Sequence, residues 1–396
     1  MIAPAEASSA IRSHAPLLPA EKRPLASCSG GILRESIHAT RDQPPFDRVT
    51  MDGIAFASSA YAEGRRHFRV LGTQAAGAAP LTLTDSAGCV EVMTGAIVPR
   101  GCDCVVPVEK ISTSDGHAHL AADVIASPGL NVHARGIDCP AGRLLLRIGT
   151  RLGPTEIAVV ASTGVAEVSI SREPRIAVIS TGDELVEPGH PVADWQIYRS
   201  NAYAVLAALK RRGYQHVRTD HLQDDLPTLR SRLRTHLEEN DVLILSGGVS
   251  MGRFDYIPQV LEELGVKNVF HKIAQRPGKP MWFGVGPGGK AVYALPGNPV
   301  STLICLARYV YLGLDIAAGV GDRPTTPHVA MARDFEVKPA LTFFLPVAMN
   351  DRSEAEPRPT QGSGDFTSLL GTDGFVELPP GPALVSSGTR VPFYPW

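Results

Sequence analysis

The sequence has no excess of one charge, no zinc-type cysteine spacing and no long apolar run. Its 38 Lys and Arg residues nearly balance 40 Asp and Glu, for a formal net charge of −2. General nucleic-acid binding needs a basic footprint, so that class is excluded, although a local cationic pocket is not. The six cysteines, at positions 28, 89, 102, 104, 139 and 305, follow no metal pattern. Cys102-Asp-Cys104 is a lone C-x-C without a second Cys/His pair, so it reads as small loop residues. The N-terminus lacks a signal-type apolar segment, and no apolar run approaches about 18 residues. A cytoplasmic protein with reduced thiols and no membrane partner is expected. The dinucleotide and Walker signatures, which need a glycine turn opening a helix, are also missing.

What is present is a chain of 396 residues, 44% hydrophobic and 20% charged, long enough for two to four domains. Residues 1–45 read as mostly helical, broken at Glu21-Lys-Arg-Pro24 and ended by Pro44-Pro45. From 46 to 171, short β-prone runs such as Gly88–Met93 and Cys104–Val108 lie between Gly, Pro and Asp turns. From 175 to about 315, strands and helices alternate. Arg175–Ser180, Val242–Leu245 and Ala291–Leu295 read as strands. Asn201–Arg212, Leu226–Glu239 and Tyr256–Leu264 read as helices, and Asn298-Pro299 starts another. Repeated βα units predict a parallel sheet covered on both faces. After Gly321 the strands Val329–Val337, Thr342–Met349, Gly374–Leu378 and Val391–Phe393 suggest a small β-barrel or sandwich.

The densest signal is Asp241-Val-Leu-Ile-Leu-Ser-Gly-Gly-Val-Ser-Met-Gly252 with Asp255-Tyr256. It is a buried strand, a glycine turn and a helix, which places backbone amides and a carboxylate at the carboxyl end of a strand. Open α/β sheets bind ligands there, and such amides suit phosphate. Ser180-Thr-Gly-Asp-Glu184 and Pro296-Gly-Asn-Pro-Val-Ser301 should converge on the same edge, and Asp224-Asp225 follows a further strand. Clustered carboxylates suit Mg2+. Each has a plainer reading: Asp255 as a helix cap, Asp183 as a turn residue, Asp224-Asp225 as a solvated turn before a helix. Lys272, Arg276 and Lys279 supply cations around a Pro-Gly turn, and alternation puts Lys272 and Arg276 on one side if the strand persists. In the N-terminal half Pro44–Gly53, Met93–Gly101 and His133–Asp138 stand out, although on physics alone each reads as a turn.

Taken in order, these segments resemble the MoeA / gephyrin E-domain family, the molybdopterin molybdenumtransferases. The carriers are Pro45-Phe-Asp47 with Met51-Asp-Gly53, Met93-Thr-Gly-Ala96, Ser180-Thr-Gly-Asp-Glu-Leu185, Ser246-Gly-Gly-Val-Ser250, Pro277-Gly-Lys-Pro280 and Leu295-Pro-Gly-Asn-Pro-Val-Ser301. The resemblance implies a multidomain α/β plus β fold. Its parts are a discontinuous N-terminal domain (1–45 and 131–171), an inserted β-rich domain (46–130), a three-layer α/β molybdopterin-binding domain (172–320) and a C-terminal β-barrel (321–396). It implies that adenylated molybdopterin and molybdate yield molybdenum cofactor and AMP, with Mg2+. Carried over by position, Asp52, Asp138, Glu184, Asp224 and Asp255 are catalytic, and Glu184 and Asp224 hold the metal. Thr94, Ser246, Gly247, Gly248, Ser250, Lys272, Arg276, Lys279, Pro296, Gly297, Asn298 and Ser301 bind substrate. A homodimer is implied, with Asp52, Thr94 and Asp138 from one subunit and the rest largely from the other. Further partners are a molybdopterin adenylyltransferase, and molybdoenzymes or their chaperones.

The chain also departs from the family pattern. Asp47-Arg-Val-Thr-Met-Asp-Gly-Ile-Ala55 replaces a usual Asp-Asn-Ser-Ala-Met-Asp-Gly-Tyr-Ala, and His133 sits where arginine is common. Arg276 replaces a frequent lysine and keeps its charge. Leu341-Thr-Phe-Phe-Leu-Pro346 lies where arginines usually flank a Phe, so weaker oxyanion binding is expected. Two other functions compete with molybdenum insertion: molybdopterin adenylylation, and a pterin-binding scaffold or regulator.

Overall fold

A computed structural model describes residues 1–248, 256–321 and 326–396. The chain divides into two compact units, one of residues 1–34, 148–152 and 168–396, the other of 35–147 and 153–167.

The larger unit is built on a six-stranded sheet. Its strands are β1 (Ile176–Thr181), β2 (Val217–Leu222), β3 (Val242–Ser246), β4 (Lys267–His271), β5 (Trp282–Gly286) and β6 (Lys290–Leu295), in the order β2-β1-β3-β6-β5-β4. β2, β1, β3 and β6 run parallel. β5 is antiparallel to both its neighbours, so the sheet is mixed and not wholly parallel as the βα repeats suggested. The β5–β6 connection holds a Gly-x-Gly-x-x-Gly spacing, Gly284–Gly289, in a hairpin turn where no helix follows.

The helices are α1 (Pro4–His14), α2 (Asn201–Arg211), α3 (Leu226–Glu239), α4 (Ile257–Glu263) and α5 (Pro299–Ala317). The period-2 pleat explains why the central strands are apolar throughout. Ile176, Val178 and Ile244 pack in one core with Ile11, Val205 and Leu314. Their neighbours Ala177, Ile179 and Leu245 pack in another with Leu229, Leu233 and Val260. Leucines spaced by 3 or 4 in α3 therefore cover one face, while α1, α2 and α5 cover the other. Asp241 opens β3 and is mostly buried. It accepts two bonds from Arg172, each 2.9 Å, and the Arg175 amide at 2.9 Å. Burial pushes its carboxyl up, but these donors outweigh burial and hold it below the usual range.

The first 45 residues are less helical than the sequence suggested. Only Pro4–His14 is an α-helix, and Ala20–Pro24 is a strand. Pro16 and Pro19 stop the helical pattern, because proline lacks the amide that a further turn needs. α5 runs for 19 residues with a mean hydropathy of 1.5 over 18 of them, a length and composition that the broken apolar pattern had not suggested. It is 67% buried inside the protein, as a core helix. Its Arg308 pairs with Glu377 at 3.0 Å and donates to Ser8 at 2.8 Å, which fastens α1 and the C-terminal strands to the same helix.

The C-terminal β-barrel joins Thr342–Met349, Gly374–Leu378 and Arg390–Pro395 around Met331, Leu345, Val376 and Val391. The expected strand Val329–Val337 is interrupted. His328–Ala330 pairs with Arg390–Pro392, whereas Phe335–Val337 pairs with Ala383–Val385.

The smaller unit is β-rich. A mixed six-stranded sheet runs in the order Cys104–Pro107, Gly53–Phe56, Gly88–Val92, His67–Gln74, His117–Leu120, Ile111–Ser114. Both its faces are buried: Ile54 and Phe56 lie in one cluster and Ala55 in another.

Candidate functional site

The chain passes from β1 outward to β2, then returns to the other side of β1 as β3. The strand order reverses there, and the crevice at the carboxyl ends of β1 and β3 is where open α/β sheets take ligands. Ser246 ends β3 and is buried. Gly247 follows with φ +104°, and a Cβ there would lie 2.6 Å from the Thr181 carbonyl oxygen. Only glycine lets this turn lie against the end of β1. The Gly247 amide is not free for phosphate as the sequence suggested, since it donates to the Leu295 carbonyl at 3.2 Å. Ser180 Oγ and Thr181 Oγ1 are buried at this edge with no partner among the described residues. Ser250 and Asp255 lie outside the described residues. α4 has Tyr256 at its N-cap, with no side-chain cap bond there.

The Pro296–Ser301 loop closes onto the Ser246–Gly248 turn. A Cβ on Gly297 would lie 3.6 Å from Gly247 Cα. Asn201, at the start of α2, donates to both Ser246 Oγ (2.9 Å) and the Gly297 carbonyl (2.7 Å). No motif marked Asn201, because its two bonds span 45 and 96 residues. Asn298 stands at the N-cap of α5, but its side chain donates to Ser363 Oγ at 2.7 Å instead of capping. The Val300 amide is also taken, by the Ser363 carbonyl at 3.1 Å. The C-terminal segment around Gln361-Gly-Ser-Gly364 therefore sits over the helix start.

The carboxylate loops meet beside this edge. Asp183 accepts the Asp224 amide at 3.1 Å, and Asp225 accepts the Thr228 amide at 3.0 Å as the N-cap of α3. Glu184 is exposed. Among the described residues no three His, Cys, Asp or Glu side chains converge as a metal site. The oxygen donors present suit Mg2+, which commonly uses only one or two carboxylates with substrate phosphates.

A cavity of about 590 Å³ opens next to the Pro296–Ser301 loop. Pro296, Asn298 and Ser301 line it, as do Arg276, Lys279 and Lys338. Lys272 is not among its lining residues. The strand does not persist from Lys272 to Arg276: β4 ends at His271, Lys272 has φ +72°, and Gln275–Arg276 joins the C-terminal sheet beside Thr342–Phe343. Lys272 and Arg276 therefore do not belong to one strand, and alternation does not put them on one side. Gly278 has φ +90°, and a Cβ there would lie 2.6 Å from Gln275 Nε2 and 2.7 Å from Cys305 Sγ. Buried Gln275 donates to the Pro277 carbonyl at 3.1 Å and accepts from the Tyr309 hydroxyl, which fixes the Pro-Gly turn. Leu341 and Pro346 line the same cavity, so the segment where the resembled pattern has arginines around a Phe, with Pro346 at an expected arginine position, gives it an apolar wall.

In the smaller unit the three conspicuous turns come together. Arg48–Val49 pairs with Val132–His133, the Gly95 amide donates to the Val49 carbonyl, and the Arg135 amide donates to Asp47. Asp52 Oδ1 accepts both the amide and the hydroxyl of Thr94, each at 2.6 Å. Those two bonds hold the Asp52 carboxyl below the usual carboxylate range. His133 Nε2 lies 2.9 Å from Asp138 Oδ1. This unit thus displays a fixed, ionised Asp52 beside exposed Met51 and Met93.

Comparison with known proteins gives a consistent result. Residues 2–164 match the MoeA N-terminal region (domain I and II), 177–314 a probable molybdopterin binding domain, and 328–396 the MoeA C-terminal region (domain IV). A molybdopterin molybdenumtransferase of Synechocystis sp. is 41% identical over 401 residues, covering 100% of both chains. One of Haemophilus influenzae is 30% identical over 378 residues, covering 94% of this chain and 93% of its own. The crystal structure of a molybdopterin biosynthesis MoeA protein from Pyrococcus horikosii superposes with a TM-score of 0.84 at 31% identity, over 100% of this chain and 99% of that one.

Proposed function

This chain belongs to the MoeA family, and from that premise we propose that it is a molybdopterin molybdenumtransferase. It takes adenylated molybdopterin and molybdate as substrates and yields molybdenum cofactor and AMP. One observation carries the reading on this chain's own residues. The Pro296–Asn298 turn borders both the β1/β3 crevice and the cavity lined by Arg276 and Lys279. An elongated anion with a pterin end and a nucleotide end fits such a continuous surface.

The residues divide the work by their chemistry. Arg276 and Lys279 offset charge that develops on phosphate oxygens as the phosphoanhydride breaks. Ser246, Gly247, Gly248, Pro296, Gly297, Asn298 and Ser301 shape the surface under the substrate. Asp52, ionised and oriented by Thr94, accepts hydrogen bonds from substrate or water, and Asp138 does so beside His133. Glu184 and Asp224 would hold Mg2+, which would act as a Lewis acid on the phosphoanhydride. Asp255, Ser250 and Lys272 remain part of the proposal on the resemblance alone, as does the four-part domain division. A cytoplasmic homodimer completes it, receiving substrate from an adenylyltransferase and passing product to a molybdoenzyme or its chaperone.

Incubating the purified protein with adenylated molybdopterin, molybdate and Mg2+ and measuring AMP by chromatography tests the reading. Molybdate-dependent AMP release is expected. The apolar wall of Leu341 and Pro346 favours one alternative, a pterin-binding scaffold, which would bind the substrate and release no AMP. An adenylyltransferase would instead consume ATP and form pyrophosphate.

A further inference from the structure

β2 brings to the crevice a side chain that no motif marked. Its register with β1, Ser180↔His221 and Thr181↔Leu222, ends it beside the Gly182–Glu184 turn. The pleat sends successive side chains to opposite faces. Asp220 meets α3, where it accepts from Arg232 at 2.6 Å and pairs with His236 at 2.7 Å. His221 is half-buried on the other face, and its Nε2 lies 2.9 Å from the Gly182 carbonyl oxygen. A carbonyl only accepts, so Nε2 carries the hydrogen. The Leu185 amide donates to the same oxygen from 3.3 Å, a longer bond. Gly182 has φ +139°, and a Cβ there would lie 2.5 Å from Glu184 Oε2. The Glu184 carboxylate therefore rests against Gly182, and the set of the Gly182 peptide decides where that carboxylate lies. Asp224, two residues beyond β2, donates its amide to Asp183 Oδ1 at 3.1 Å. His221 and Asp224 thus clamp the Gly182–Glu184 turn from one strand end, and the clamp fixes Glu184 relative to Asp224.

Groups that bond to a ligand-bearing loop hold its geometry, and small misplacements of charged groups are costly at a reacting phosphate. We propose that His221 is a positioning residue for the transferase reaction. Through the Gly182 carbonyl it holds the Glu184 carboxylate in place with Asp224, the two groups that would hold Mg2+. The inference rests on the transferase reading of the site. It gives β2, the edge strand of the sheet, a part in the reaction without contact to substrate.

Two variants of the full-length protein test it, His221→Leu, which removes the donor, and His221→Gln, whose amide nitrogen can take the place of Nε2. Metal binding is read directly, by electron paramagnetic resonance titration with Mn2+ in the presence of AMP. His221→Leu should weaken Mn2+ binding roughly tenfold or more, the scale on which groups supporting a metal ligand act. In the AMP assay the loss should fall on kcat more than on KM for adenylated molybdopterin, since Arg276 and Lys279 are untouched, with little change in melting temperature. His221→Gln should recover most of both properties. Unchanged Mn2+ affinity and kcat in His221→Leu, with AMP release intact in the wild type, would overturn the role of His221 and leave the transferase reading standing. Equal losses in the Leu and Gln variants with a lowered melting temperature would also overturn it, as a structural effect. Folded wild type that binds Mn2+ but releases no AMP would overturn the transferase reading and with it any part for His221 in that reaction. No Mn2+ binding by the wild type would overturn the metal-positioning role itself.

Discussion

Asp52 shows how much a single residue gains from its place in the fold. Its two bonds from Thr94 cross 42 residues and exist because Gly53–Phe56 pairs antiparallel with Gly88–Val92. The motif named both residues, but their contact depends on a strand pairing that no local pattern reports. Depression of the Asp52 pKa means that the folded state favours the ionised form. The resulting stability is present above the unfolded carboxyl pKa, about 3.9, and is lost as pH falls through the lower folded value. Thr94→Val removes the hydroxyl donor and keeps the amide. Carbon-13 titration of the Asp52 carboxyl should show a midpoint below about 3.9 in the wild type and a rise in the variant. An identical midpoint in both would show that the hydroxyl contributes nothing.

Among the elements, the turn after β3 is the most constrained. Gly247→Ala places a Cβ against the Thr181 carbonyl at a positive φ. A loss of about 1–3 kcal/mol in urea unfolding is expected from that strain. A change near zero would mean that the turn yields freely and does not fix the β1/β3 crevice. The surrounding elements were legible because their causes are local. Leucines at helical spacing define α3, and unbroken apolar runs define β1 and β3. Other parts depended on distant contacts. Residues 15–24 leave the helix at prolines and find a strand partner in Glu167–Ser171. Lys272 turns at positive φ so that Gln275–Arg276 can join another sheet, and this defeated the reading of one continuous strand. Asn201 and Lys338 reach the site from segments with no motif of their own, so only the fold reveals them.

For the whole molecule, the family is established by the full-length match, and the larger unit carries the cavity, the crevice and the carboxylate loops together. Sedimentation at micromolar concentration should give twice the chain mass, as the proposed homodimer requires, while a monomer mass would remove that part of the proposal. The central claim is that this surface couples breakage of the adenylated substrate to capture of molybdenum. The most direct measurement is the ratio of molybdenum in the released cofactor, by elemental mass spectrometry, to AMP formed in the same reaction. The account predicts a ratio of about one, falling with AMP when molybdate is withheld, because one anion is captured at each electrostatically stabilised cleavage. AMP formed at full rate without molybdenum in the product, or no AMP at all from folded protein, would contradict it.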